Sequence, residues 1–213
     1  MNLKERCQLF ENELNYFSNT SIRDFAIFCL GKLPEYFFHI PASASGKYHP
    51  SYALGEGGLV RHTKAAMYLC DCLFNAGIGS YYPTDVGLNY DELCDCCMLA
   101  LLFHDGLKLG HIENWETVSA SGEELHTVHE HPMLAAGFLG QQLLSFMEDH
   151  DINAYDVTIV EKAKAAIASH MGRYVASARS SIILPSPAAG DWCQKLVHIC
   201  DLLASRKKFD FIP

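Results

Sequence analysis

Apolar residues recur at spacings of three and four along most of this chain, and almost nowhere do they alternate with period two. That periodicity puts the buried side chains on one face of a helix, so it commits the chain to a helical core and leaves little from which to build a sheet. Leu3, Cys7, Phe10, Leu14 and Phe17 form one such face and predict a helix over 3–17. Ser21 is placed to cap a second helix through Ile22, Phe25, Phe28 and Cys29, which Pro34 ends. Further helices are predicted over 59–75, 91–103, 132–148, 155–171 and 190–207, with Pro132 suited to a first helical position. The expected fold is all-α, a bundle of about seven helices, with room for a short β-hairpin between Ile112 and Val128.

The length of 213 residues fits one domain, with 41–208 as its core and 1–40 as a helical extension packed over it. Between Ile40 and Gly58 the helical pattern gives way to Pro41, Ser43, Ser45, Gly46, Pro50, Gly55 and Gly57, a loop long enough to form one wall of a site. Lys plus Arg number 16 against 25 for Asp plus Glu, a net charge of −9, which excludes a protein that coats duplex nucleic acid. A small phosphorylated ligand in a local basic pocket stays compatible with that balance. No apolar run reaches the roughly 18 residues of a membrane span. Among the nine cysteines only Cys94 and Cys97 stand at Cys-x-x-Cys spacing, with no second such pair to complete a zinc site, and Lys4, Glu5 and Arg6 do not read as a secretory leader. They are expected to be small buried hydrophobes of a protein in a reducing cytoplasm.

Eleven histidines are many for a chain of this size, and several fall on the apolar stripes. His62 shares a face with Leu59, Ala66, Leu69 and Leu73; Leu93, Cys97 and Ala100 lead to His104, and Cys94, Met98 and Leu101 to Asp105. Val160, Ala163 and Ile167 lead to His170, and Val197 precedes Asp201 by one turn. One buried histidine is ordinarily a satisfied core residue, but four helices here each deliver an imidazole or a carboxylate to the interior. A buried carboxylate without a partner costs several kcal/mol, and no Lys or Arg lies on these stripes. A divalent metal that neutralises Asp105 and Asp201 is the expected explanation, since neutral imidazole with carboxylate suits borderline metals.

The run Gly58-Leu59-Val60-Arg61-His62-Thr63, then Leu101-Leu102-Phe103-His104-Asp105 with Lys108, then His198-Ile199-Cys200-Asp201, resembles the HD-domain metal-dependent phosphohydrolases. Their signature is His, then His-Asp, then Asp, in that order. The resemblance spans about three quarters of the chain and is closer still to the HD module of bacterial 3′-to-5′ exonucleases that join an OB-fold to an HD domain. The segments Tyr48-His49-Pro50, His131-Pro132 and Ser169-His170-Met171-Gly172-Arg173 carry that closer likeness, while the first 40 residues read as helices in place of the OB-fold.

The resemblance implies an HD-domain helical bundle in which His62, His104, Asp105 and Asp201 hold a metal ion. It further implies that His131 and His170 hold a second ion with Asp105 bridging, as in HD-GYP phosphodiesterases and binuclear HD oxygenases. Two divalent transition metals are expected, manganese, iron, nickel, cobalt or zinc. His126 and His129 crowd the segment of His131, which is preferred because the helix starts there. Asp105 and Lys108 are the expected catalytic residues, and Lys108, Arg173, Arg61 and His49 the expected phosphate or substrate contacts, with Lys47 and Tyr48 in the same loop as His49. His198 is expected to pack behind the ligands. The implied reaction is hydrolysis of a phosphoester in a nucleotide, a short oligonucleotide or another small phosphorylated metabolite. The same ligand set also serves mixed-valent di-iron oxygenases, and degenerate HD domains act as non-catalytic binding modules.

Overall fold

The computed structural model describes all residues except 44–45, 47–48, 79–86, 113, 123–124 and 210–213. Among the described residues there are nine α-helices and no strand. They are α1 (Leu3–Leu9), α2 (Glu11–Leu14), α3 (Thr20–Lys32), α4 (Gly58–Asn75), α5 (Tyr90–Phe103), α6 (Trp115–Ala120), α7 (His131–Phe146), α8 (Ala154–Ser169) and α9 (Trp192–Ala204). No helix among them is long and apolar enough to cross a membrane.

The centre of the bundle is α5, where every residue from Asp95 to Phe103 is buried. A helix apolar on all sides must be surrounded, and α4, α8 and α9 pack around α5 while α7 packs on α8. Three helices open with reciprocal capping boxes, Asn2 with Glu5, Asn89 with Glu92 and Asp191 with Gln194. In each, a side-chain oxygen satisfies a backbone N–H that the helix itself leaves unpaired.

Three local expectations are corrected. The first helix is broken at Phe10 (φ −114°, ψ 21°), so 3–17 becomes α1 and α2. The turn lets fully buried Phe10 stack on Phe37 with ring centroids 6.3 Å apart while Leu14 still reaches the core. The cap of α3 is Asn19, not Ser21: its side-chain oxygen accepts from Ser21 N and Ile22 N, and its Nδ2 donates to Asp156 Oδ1 at 2.7 Å. The expected hairpin within 112–128 is also absent among the described residues, where α6 forms instead. Asn114 caps it through Thr117 N, and the Ser119 and Ser121 hydroxyls turn back to carbonyls three residues earlier, which favours a helical turn over a strand.

The amino-terminal helices are fastened to the bundle by a buried carboxylate. Asp95 on α5 accepts from Ser18 N, Ser18 Oγ and Asn19 N at 2.8, 2.9 and 2.9 Å. The described ends of the loop that leads into α4 are equally tied down. Ala42 N donates to Ala53 O, Leu59 N donates to Ile40 O, and the Tyr52 hydroxyl donates to Ala204 O at the end of α9. At Gly58 a Cβ would lie 2.4 Å from the Ala53 carbonyl oxygen, so only glycine lets α4 start against this loop. Six of the nine cysteines are buried and all nine are free thiols. Cys96 and Cys193 bring their sulfurs within 3.1 Å between α5 and α9.

Candidate metal centre

Five elements converge on one point in the bundle. His62 stands in the second turn of α4; His104 caps the carboxyl end of α5, with Asp105 next in the chain. His131 is the first residue of α7, His170 caps the carboxyl end of α8, and Asp201 lies in the last turn of α9. All except Asp201 are buried, and the Asp201 side chain is 19% exposed, so the centre opens on that side.

The tautomers of three of these imidazoles follow from their partners. His104 Nδ1 is 2.7 Å from the Leu101 carbonyl oxygen, His131 Nδ1 is 2.7 Å from Val128 O, and His170 Nδ1 is 2.8 Å from Ile167 O. A carbonyl oxygen only accepts, so each Nδ1 carries a proton, and in the neutral ring each Nε2 presents its lone pair to the interior. His131 Nε2 and His170 Nε2 then face each other at 3.3 Å, and His62 Nε2 and His104 Nε2 are also 3.3 Å apart. Lone pairs at that separation repel unless a positive charge lies between them.

Asp105 stands between the two pairs. Its Oδ1 is 3.0 Å from His131 Nε2 and 3.8 Å from His170 Nε2, while its Oδ2 is 3.6 Å from His104 Nε2 and 3.9 Å from His62 Nε2. Asp201 Oδ1 lies beside the first pair, 3.1 Å from His62 Nε2 and 3.5 Å from His104 Nε2. Donors bound at about 2.1 Å to one ion lie about 3.0 Å apart at right angles and about 3.4 Å apart in a tetrahedron; the shorter separations here, 3.0 to 3.3 Å, fall in that range, and those from Asp105 to His62, His104 and His170, 3.6 to 3.9 Å, are longer. The sets His62, His104, Asp105 and Asp105, His131, His170 each bring their donor atoms within 4.8 Å of one another. These buried groups can hold a metal ion.

The electrostatics agree with a site made for cations. Burial pushes the Asp105 carboxyl up, but the charges of Lys108 and His104 and the hydrogen bond from His131 hold it well below the usual carboxylate range. Asp201 is likewise raised by burial and then held low by hydrogen bonds from His104 and His62. Burial lowers His170 to about 3, with His104 adding to the shift, so His170 stays a neutral donor. His104 is pushed down by burial, yet the neighbouring Asp105 and Asp201 carboxylates raise it on balance. Positive charge is favoured where the carboxylates meet.

The remaining expected residues divide. Lys108 Nζ pairs with Asp105 Oδ2, directly beside the centre. His49 is half-buried, its ring 5.9 Å from that of His62, with Nδ1 lacking a hydrogen-bond partner. Burial first, and then the nearby His62, lower its pKa to about 4. His126 is exposed, and it is His131 that reaches Asp105. Arg61 is turned away: its guanidinium donates to the carbonyls of Tyr52 and Leu54 at 2.5 and 2.7 Å and braces the preceding loop. Arg173 is exposed and donates to the Tyr174 hydroxyl at 3.0 Å. Neither guanidinium is aimed at the centre. Helical spacing gives a side chain's starting face but not the partner a long flexible arm will take. Lys47 and Tyr48 lie outside the described residues.

His198 packs behind His170, its Nδ1 donating to the His170 carbonyl at 2.7 Å. Gly172 makes that contact possible, since its φ of +62° suits glycine and a Cβ there would come within 2.1 Å of His198 Cε1. Sequence reading did not find the carbonyls of Leu101, Val128 and Ile167 that orient the imidazoles. Each lies three residues before its histidine, a spacing visible in the chain once a helix end or turn is assumed there. Comparison of the chain with protein-family models, with curated proteins and with solved structures gives no match.

Proposed function

We propose that this protein is a metal-dependent phosphohydrolase of the HD type, acting on a phosphoester of a nucleotide or another small phosphorylated metabolite. The observation that carries the reading is the position of Asp105, which offers one carboxylate oxygen to His62 and His104 and the other to His131 and His170. That division supports a site for two ions with Asp105 shared, and imidazole-rich ligation favours manganese, iron, nickel, cobalt or zinc over magnesium. When bound, such cations would supply an acidified water and positive charge against the phosphoryl oxygens.

The side chains have separable tasks. Asp105 and Asp201 bring the negative charge that draws cations into a buried site, and the carbonyl-bound Nδ1 protons keep His104, His131 and His170 in the donor tautomer. Lys108, now paired with Asp105, is the cation free to turn to a phosphate oxygen once another positive charge takes over the carboxylate. It is also placed to give a proton to the leaving oxygen. In this reading substrate enters on the side of Asp201, whose side chain is partly exposed.

The test is elemental analysis of protein purified without added metal or chelator, alongside turnover of bis(p-nitrophenyl) phosphate. About two transition-metal ions per chain are expected, falling towards one in His131→Ala, with turnover reduced about a thousandfold or more in Asp105→Asn while helicity is retained. Turnover retained in Asp105→Asn would remove the centre from the reaction. Iron as the metal, with oxygen consumed and no ester cleaved, would replace the hydrolase by an oxygenase.

A further inference from the structure

Lys108 has two neighbourhoods. Its ammonium meets Asp105 at the metal centre, and its side chain also lines a cavity of about 350 Å³. The rest of that lining comes from segments distant in sequence: His39 to Ala42 at the start of the loop, Glu56 near its end, Leu109 after α5, Trp115 on α6, and Leu125 and Thr127 before α7. The walls are mostly apolar, while His39, Glu56, Lys108 and Thr127 add polar groups.

We propose that this cavity is the subsite for the nucleobase of a nucleoside phosphate whose phosphate lies at the metal centre. The proposal rests on the reading of that centre as a phosphohydrolase and names its substrate class. Three features of the cavity select that occupant. Its volume is at the lower end for small-molecule pockets, which suits one nucleoside. Trp115 supplies an aromatic face of the kind on which any base stacks, and Ile40, Pro41, Leu109 and Leu125 complete an apolar slot for a flat heterocycle. Lys108 joins the slot to Asp105, so one molecule with a planar apolar end and an anionic end spans both.

The aromatic wall is held in place. His39 lies nearly parallel to Trp115, with ring centroids 6.3 Å apart and an interplanar angle of 18°. Its own ring is gripped by Glu56 at 2.6 Å and Glu35 at 3.2 Å. The tilted ring of Tyr36 supports Trp115 from another side, its centroid 6.1 Å away, and the Tyr36 hydroxyl is fixed on Gly110 O at 2.8 Å. The Glu56 carboxylate and the Thr127 hydroxyl are the groups that can accept from the N–H edge of a base. A sugar phosphate without a base would leave the slot empty.

The chain has two tryptophans, so a Trp192→Phe variant reports on Trp115 alone by fluorescence. The probes are guanosine, adenosine and cytidine, with ribose 5-phosphate as control, added to protein carrying its native metals. Nucleosides contain no phosphoester, so this binding is read apart from turnover. Saturable quenching by nucleosides with a Kd of about 1 mM or below is expected, with no quenching by ribose 5-phosphate. Calorimetry on the unaltered protein, which does not depend on the Trp192 variant folding, should give the same affinity, weakened at least about tenfold in Trp115→Ala. Absence of saturable nucleoside binding by both methods, or an unchanged affinity in Trp115→Ala, would overturn the subsite. Cleavage of bis(p-nitrophenyl) phosphate without nucleoside binding would leave the hydrolase standing and remove only the base slot. Nucleoside binding without ester cleavage would do the reverse.

Discussion

His170 and His49 show how the same burial that builds the centre makes it sensitive to acid. His170 titrates at about 3 and His49 at about 4, because burial, helped by the neighbouring His104 and His62 respectively, disfavours their imidazolium forms. In the unfolded chain both take up a proton near the ordinary histidine value of about 6.5. Below that pH the unfolded state therefore binds more protons, and the metal-free protein loses stability as pH falls from about 6.5 towards 4. His104, raised by its carboxylate neighbours, works in the opposite direction and offsets part of the loss. The chelated protein should accordingly show a lower urea midpoint at pH 5 than at pH 7.5; equal midpoints would mean that the imidazoles take up protons where they stand. His198→Ala removes the ring that holds the His170 carbonyl, and a tenfold to hundredfold fall in metal affinity is expected by competition with a chromogenic chelator. Complete loss of one ion would make His198 a ligand instead.

At the scale of elements, the join between the amino-terminal helices and the bundle depends on a few polar atoms. Asn19 ends the unpaired N–H groups of α3 and at the same time donates to Asp156, a buried carboxylate whose other oxygen has no partner. Asn19→Ala should therefore lose a helix cap, worth about 1 kcal/mol, and strand a buried acceptor at about 1–3 kcal/mol. A loss of about 2–4 kcal/mol in chemical denaturation is expected, against little change in Ser21→Ala, and equal effects of the two would restore Ser21 as the cap. The long helices themselves were legible in the chain, because a run such as Leu93 to Phe103 admits no other packing than burial. The short ones were not. Breaks at Phe10 and caps at Asn19 and Asn114 turn on single side-chain hydrogen bonds that apolar spacing does not record.

For the molecule as a whole, α4, α5, α7, α8 and α9 each contribute to one centre, so binding there acts on the stability of the entire bundle. A ligand that binds only the folded state at a hundred times its Kd stabilises by about 2.7 kcal/mol. Removing metal with a chelator should lower the Tm by several degrees. Restoring manganese or zinc should recover it, and His131→Ala should recover only part. A Tm indifferent to chelation would show that the native donors hold no ion.

What the chain determined by itself was the helical class and the inward direction of His62, His104, Asp105, His170 and Asp201. Periodicity fixes the face on which a residue sits, and a carboxylate on an apolar face demands a positive partner. Only the tertiary structure decided which histidine of the 126–131 segment reaches Asp105, that each Asp105 oxygen faces a different imidazole pair, and that Arg61 and Arg173 turn elsewhere. It alone placed Trp115 and His39 in a cavity shared with Lys108. Those outcomes depend on where helices cross and on which carbonyl a flexible side chain finds first. Both are set by packing between segments far apart in sequence, which spacing within any one segment does not encode.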